Sequence, residues 1–162
     1  MSKIYNPPKI IKLDNLLFLA GAIQGAEDWQ SKVINYLKNY DISIASPRRK
    51  YICDNFDYNK QVEWETYYLN VSNIILFWLP KEIEHIEGRS FAQTTRFELG
   101  EWLAKSLYIP NKQIIVGIDS SFKGSRYIKK RIQNNYKNVP IFTKLKDCCD
   151  FIINKLNLEV EK

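Results

Sequence analysis

Two glutamates, Glu98 and Glu65, occupy sequence contexts in which a carboxylate can act as a nucleophile or as an acid-base group. Glu98 lies in the stretch Gln93–Trp102, whose apolar residues predict a tightly packed opening of a helix. Thr95, three residues before Glu98, also fits a capping box, in which the glutamate bonds back to the start of its helix. In the first turn, the helix N-terminus would hold the carboxylate ionised, as a nucleophile or a ligand-orienting anion requires.

The second glutamate belongs to the segment Gln61-Val-Glu-Trp-Glu65, which the pattern of residues places on another helix. Gln61 and Glu65 are four residues apart and therefore share one helix face. Glu63 points elsewhere, and a solvated position is the better interpretation for it. We therefore expect Glu65, with Gln61 beside it, to enter a shared site.

The turn after the first predicted strand is rich in glycine. Gly21 and Gly25 let the backbone approach a ligand closely, and N–H groups at the start of the next helix can bind oxygen atoms. We expect Gly21, Ile23 and Asp28 to contact the ligand. Trp29 could cover a flat ring, although core packing is the more common role of a tryptophan at helical spacing.

An arginine pair follows the second predicted strand in Ser46-Pro-Arg48-Arg49. Two guanidinium groups at the end of a strand can bind a phosphate bidentately, which would suit the 5′ group of a nucleotide. An exposed basic turn is the equal alternative.

Other kinds of site are disfavoured by the sequence. His85 is the only histidine, no cysteine or histidine cluster has the spacing of a zinc site, and there is no P-loop. We expect neither a metal nor a cofactor. The cysteines are Cys53 and the adjacent pair Cys148-Cys149, an odd count that favours a reducing compartment, which we take to be the cytoplasm.

Strands and helices must position these residues, and they are predicted from short apolar runs that alternate with amphipathic stretches. Five strands are predicted, over Leu16–Leu19, Ile42–Ala45, Ile74–Leu79, Gln113–Ile118 and Val139–Phe142. Five helices are predicted, over Asp28–Tyr40, Gln61–Val71, Thr95–Leu107, Arg126–Asn135 and Lys144–Leu156, with loops over Tyr51–Tyr58 and Lys81–Phe91. This alternation predicts an α/β fold, a five-stranded parallel sheet of flavodoxin-like order 2-1-3-4-5 with helices on both faces. Ligands of such sheets bind beyond the carboxyl ends of the strands.

Size and charge limit the function further. The 162 residues fit a single domain over 1–162, and the net charge of +6 permits an anionic small-molecule partner. The basic residues are spread along the chain, so we expect no nucleic-acid polymer as partner. The apolar run Leu16–Ile23 is too short to span a bilayer.

Several motifs occur in an order and at a spacing that resemble the nucleoside 2-deoxyribosyltransferase-like family, over about residues 16–105. They are Phe18-Leu-Ala-Gly-Ala-Ile23, Glu27-Asp-Trp-Gln30, Ser46-Pro-Arg-Arg49, Gln61-Val-Glu-Trp-Glu65 and Phe97-Glu-Leu-Gly100. The resemblance implies a flavodoxin-like domain that cleaves the N-glycosidic bond of a (deoxy)nucleoside or nucleotide, without a metal.

The resemblance also implies roles for individual residues. Glu98 is the nucleophile that attacks the anomeric carbon, and Glu65 assists the leaving base or orients the nucleophile. The Gly21 turn binds the sugar or phosphate, with Trp29 or Trp78 near the base. Family members have an aspartate for the sugar hydroxyls six residues before the nucleophile, where this chain has Ala92, so we expect sugar recognition to differ.

The implied chemistry is that of a retaining glycosidase, with a glycosyl ester that a second base or water resolves. The resemblance further implies a homodimer or larger homo-oligomer whose neighbouring subunit completes the site. Two alternatives stay open: a non-catalytic nucleotide-sensing module of the same fold, and cleavage of the nicotinamide bond of NAD.

Overall fold

A computed structural model describes residues 1–8, 16–49 and 56–159. Cys53 and most of the loop predicted over Tyr51–Tyr58 lie outside the described residues. None of the helices in the described part of the chain is long and apolar enough to cross a membrane.

The described residues form one sheet in which every pair of neighbouring strands is parallel. Its strands are β1 (Lys3–Tyr5), β2 (Leu16–Gly21), β3 (Ser43–Ala45), β4 (Ile74–Leu79), β5 (Gln113–Ile118) and β6 (Ile141–Phe142). Their order across the sheet is β1-β3-β2-β4-β5-β6.

The parallel α/β prediction is confirmed, with one correction to the strand count. The five predicted strands follow the expected order, and a sixth, β1, extends the sheet beyond β3 by pairing Ile4 with Ile44. The prediction missed β1 because this three-residue strand at the sheet edge has no buried residue, and therefore no apolar run marks it.

Five helices connect and cover the strands of the described chain. They are α1 (Trp29–Leu37), α2 (Tyr58–Val71), α3 (Gln93–Lys105), α4 (Ser125–Asn135) and α5 (Leu145–Leu156). Asp57 caps α2 by accepting a hydrogen bond from the Lys60 N–H, which places the start of this helix three residues before the predicted start at Gln61.

The predicted capping box of α3 is wrong. This helix begins at Gln93, and its N-cap is Ala92, which makes no side-chain cap bond and has a left-handed backbone with φ of 57°. Thr95 is buried inside the first turn, and Glu98 lies in the second turn. Since the helix starts two residues earlier than predicted, Glu98 is beyond the orphan N–H groups that a cap satisfies.

The hydrophobic core has two halves, one on each face of the sheet. Side chains alternate along β2, so that Phe18 packs on the side of α2 and α3 and Leu19 packs on the side of α1 and α5. Trp64 of α2 and Trp29 of α1 are the large side chains at the centre of these halves. This packing fixes α2 and α3 side by side over one face.

Candidate active site

A cavity of about 810 Å³ lies at the carboxyl end of β2, between α2, α3 and the segment that joins β4 to α3. Seven of the ten predicted site residues line it: Gly21, Ile23, Arg48, Arg49, Gln61, Glu65 and Glu98. Asp28, Trp29 and Trp78 lie outside this lining.

Glu98 of α3 is largely withdrawn from solvent and lines this cavity. Burial raises the pKa of its carboxyl to about 8, and the neighbouring charges of Glu65 and Glu101 act in the same direction. This overturns the expectation that the helix N-terminus holds Glu98 ionised, because the stabilising field of a helix end falls off within the first turn. Glu98 therefore holds its proton to higher pH than an ordinary glutamate does.

Glu65 of α2 faces the same cavity from the neighbouring helix. Its Oε1 accepts a hydrogen bond of 2.7 Å from the Gln61 amide Nε2, the partner expected from their spacing. Burial raises the pKa of Glu65, whereas the Gln61 hydrogen bond and the Arg49 charge oppose the increase. Glu63, on the same helix, is exposed. The helix geometry thus brings one glutamate of the pair, Glu65, into the cavity with Glu98.

Arg49 is connected to this pair through Gln61. Its Nε donates a hydrogen bond of 2.8 Å to Gln61 Oε1, and its guanidinium lies over the Phe56 ring, 5.2 Å from the centroid. Arg49, Gln61 and Glu65 therefore form a continuous chain of side chains along one wall of the cavity.

Arg48 points to a different set of partners. Its Nε lies 3.1 Å from Asp28 Oδ1 and donates to Gln30 Oε1 at 3.0 Å, and its Nη2 donates to the Ile23 carbonyl at 3.3 Å. Asp28 also caps α1 by accepting from the Ser31 N–H. Arg48 is thus paired with Asp28, and the two arginines do not form a single fork.

A glycine is needed at position 21 because other residues of the protein pack directly against its backbone. A Cβ at this position would overlap the Trp78 carbonyl oxygen and lie 2.6 Å from the Trp29 ring. Trp29 is fully buried, and its Nε1 donates a hydrogen bond of 2.9 Å to the Ala22 carbonyl. Trp29 therefore supports the glycine turn from the core, the alternative that its helical spacing favoured, and Trp78 is buried in the same half of the core.

The segment between β4 and α3 supplies cavity residues that were not among the ten predicted site residues. It contributes Glu82, Glu84, Ile86, Arg89, Ser90, Phe91 and Ala92 to the lining. The Ile83 N–H donates to the Gly25 carbonyl at 2.8 Å, and Arg89 is hydrogen bonded to Gln24, so this segment is attached to the glycine turn. Its position after a central parallel strand agrees with the expectation that ligands bind beyond the carboxyl ends of the strands.

Glu101 also lines the cavity, three residues after Glu98 and therefore on the same face of α3. Its Oε1 pairs with Lys105 Nζ at 2.6 Å. The i, i+3 spacing from Glu98 would have been enough to propose it.

A parallel α/β domain with two interacting carboxylates in a cavity at the strand ends fits the class of enzymes that use paired carboxylates on glycosidic bonds. A family model described as nucleoside 2-deoxyribosyltransferase like matches residues 14–116, a range that contains Glu65 and Glu98. The chain therefore belongs to the nucleoside 2-deoxyribosyltransferase-like family, which confirms the resemblance seen in the motifs. No curated protein matches the chain. Membership in this family indicates an enzyme of glycosyl transfer that acts on small-molecule nucleosides.

Proposed function

We propose that this protein cleaves the N-glycosidic bond of a nucleoside or deoxynucleoside through a covalent ester on Glu98, and that a second base or water then accepts the sugar. The observation that carries the proposal is the pairing of Glu98 with Glu65, which face one cavity from two adjacent helices. Family membership supports the choice of the N-glycosidic bond as the one on which this pair acts.

The first half of the reaction needs one proton and one free carboxylate. Burial raises the pKa of Glu98 to about 8, so this residue carries a proton that must leave before it can attack. Glu65 can accept that proton. Ionised Glu98 then forms a bond to the anomeric carbon, the carbon–nitrogen bond breaks, and its electron pair stays on the base, which takes the proton from Glu65.

The second half reverses these roles. The acceptor, either another base or water, loses a proton to Glu65 as its nitrogen or oxygen attacks the anomeric carbon. The ester bond breaks, and its electron pair returns to Glu98. The configuration of the sugar is retained because each half inverts the anomeric carbon once.

The contacts of the two arginines favour a nucleoside over its 5′-monophosphate. Arg48 is paired with Asp28, and Arg49 donates to Gln61, so the two guanidinium groups do not form one phosphate-binding fork. This changes the preference that the arginine pair alone suggested.

Nucleotide sensing without turnover is the second candidate, and Ala92 favours it. This residue lines the cavity at the position where the family has an aspartate for the sugar hydroxyls, and its methyl group cannot accept a hydrogen bond. A protein of this kind would bind the ligand and release no base.

We also propose that residues 1–162 form a single domain that assembles as a homodimer or larger homo-oligomer in the cytoplasm. The two buried free thiols, Cys148 and Cys149, are compatible with a reducing compartment. Light scattering of the purified protein would test the assembly, since a monomer at all concentrations would exclude it.

The activity is tested by incubating the protein with deoxynucleosides, ribonucleosides, their 5′-monophosphates and NAD, with and without an acceptor base, and separating the products by chromatography. We expect base release or exchange from a nucleoside, its loss in Glu98→Gln, and its retention in the matched control Glu63→Gln, an exposed glutamate of α2. Thermal stabilisation by a ligand without any base release would instead support sensing. Release of nicotinamide from NAD would identify the remaining alternative.

A further inference from the structure

We propose that Gln61 and Arg49 are positioning residues: Gln61, itself oriented by Arg49, fixes the Glu65 carboxyl group as a hydrogen-bond acceptor opposite Glu98. This assignment rests on the proposed function for its catalytic meaning, and it replaces the expected contact of Gln61 with the substrate.

The orientation of the Gln61 amide follows from its two partners. Arg49 Nε can only donate, so the atom that faces it at 2.8 Å has to be the amide oxygen. The amide nitrogen is thereby turned towards Glu65, to which it donates at 2.7 Å, with the Pro47 carbonyl at 3.4 Å as a second acceptor. The two hydrogen bonds from Arg49 through Gln61 therefore run in one direction. The second of them ends on an oxygen of Glu65, which must accept it.

Arg49 is able to impose this direction because it is held on a second side. The Phe56 ring lies under its guanidinium at 5.2 Å, just before the Asp57 cap that starts α2. The orienting group therefore contacts the segment that leads directly into the helix that carries Gln61 and Glu65.

The different surroundings of Glu65 and Glu98 affect which of the two carboxyl groups holds a proton. Glu65 faces Gln61 and Arg49, which both favour its ionised form, whereas Glu98 faces the negative charges of Glu65 and Glu101. These surroundings favour the proton on Glu98 over Glu65. Because Oε1 of Glu65 is occupied by Gln61, a proton that Glu65 accepts is directed to its other oxygen.

Kinetics separate positioning from substrate binding. Gln61→Met keeps the approximate volume and removes both hydrogen bonds, and we expect it to lower kcat by about tenfold to a hundredfold, as the loss of a hydrogen bond to a charged group does. KM for the nucleoside should change by less than about threefold, because a positioning residue does not contact the substrate. Gln133→Met, on the exposed side of α4, is the matched control and should behave as wild type. A large increase in KM with kcat retained would overturn the assignment.

A titration of the substrate-free protein gives a readout that does not depend on activity. Carbon-13 NMR of glutamate side-chain carboxyl groups should show Glu65 titrating at higher pH in Gln61→Met than in wild type, since a hydrogen bond that favours its charged form has been removed. Arg49→Met, which removes the donor to Gln61 and the positive charge, should move the titration in the same direction and serves if Gln61→Met does not fold. An unchanged Glu65 titration in both variants would overturn the proposal. Failure of the wild type to cleave any nucleoside, together with the expected titration shift, would overturn the proposed function and leave the positioning intact.

Discussion

The Glu65 carboxylate raises the pKa of Glu98 across a cavity that the two residues enter from different helices. Each carboxyl group also has a different neighbour. Gln61 donates a hydrogen bond to Glu65, and Glu101 adds a second negative charge beside Glu98. The two carboxyl groups therefore differ in their tendency to hold a proton although both are partly buried. Environments that separate two carboxyl groups in this way allow one to be a nucleophile while the other moves protons.

The rate of reaction should depend on pH through Glu98. The reaction uses one proton held by the Glu65–Glu98 pair, so kcat/KM, which reports the free enzyme, should fall by about tenfold for each pH unit above the Glu98 pKa of about 8. Glu101→Gln removes a charge that raises this pKa, so the fall in kcat/KM should begin at lower pH. A pH series with wild type and Glu101→Gln measures both effects. A kcat/KM that stays constant from about pH 7 to about pH 10 would contradict the assignment of Glu98.

The free energy of unfolding should also depend on the protonation of Glu98. The pKa of Glu98 is raised from 4.5 to about 8 on folding, so the folded state binds the proton more tightly. The stability that this proton contributes is complete below the unfolded pKa and is lost as pH rises through the folded value. Glu98→Gln should therefore unfold at higher denaturant concentration than wild type at alkaline pH, by the equivalent of a few kcal/mol, and the difference should disappear in acid.

This prediction is measured by denaturant unfolding of wild type and Glu98→Gln at about pH 5 and about pH 9. Most of the Glu98 titration lies between these two pH values. The matched pair Glu63→Gln and wild type should show no such pH dependence, since Glu63 is exposed. Equal stability of Glu98→Gln and wild type at both pH values would show that Glu98 is not buried as described.

Gly21 and Gly100 should respond oppositely to the same substitution. Gly21→Ala places a methyl group against the Trp78 carbonyl and the Trp29 ring, and we expect it to lower the free energy of unfolding by about 1–3 kcal/mol. Around Gly100, in α3, no described atom would meet a Cβ within 4 Å, so Gly100→Ala should raise stability by about 0.5–1 kcal/mol. Denaturant unfolding measures both. A neutral Gly21→Ala would contradict the close packing of the glycine turn on Trp29.

Much of the fold could be predicted because buried parallel strands are recorded in sequence as apolar runs. Ile74–Leu79 is buried at every position and was predicted with the bounds that the structure gives. The edge strand Lys3–Tyr5 could not be predicted, since its residues are not buried and its pairing depends on Ile44, which is remote in sequence.

At the site, periodicity identified which glutamate of α2 enters the cavity but not how the carboxyl groups are protonated. The spacing of Gln61 and Glu65 was sufficient to predict that they share a face, and they are hydrogen bonded. The state of Glu98 depends on where α3 begins. That start is set by the left-handed backbone of Ala92, a conformation that is uncommon for alanine and that no residue pattern signals.

A trapped glycosyl ester tests the central claim most directly. The protein is mixed with a cleavable deoxynucleoside, quenched in acid within the first turnovers and digested, and the peptides are analysed by mass spectrometry. We predict a deoxyribosyl adduct on the peptide that contains Glu98, absent from Glu98→Gln and present in Glu63→Gln. Turnover with an adduct on another residue, or undiminished turnover in Glu98→Gln, would contradict the account.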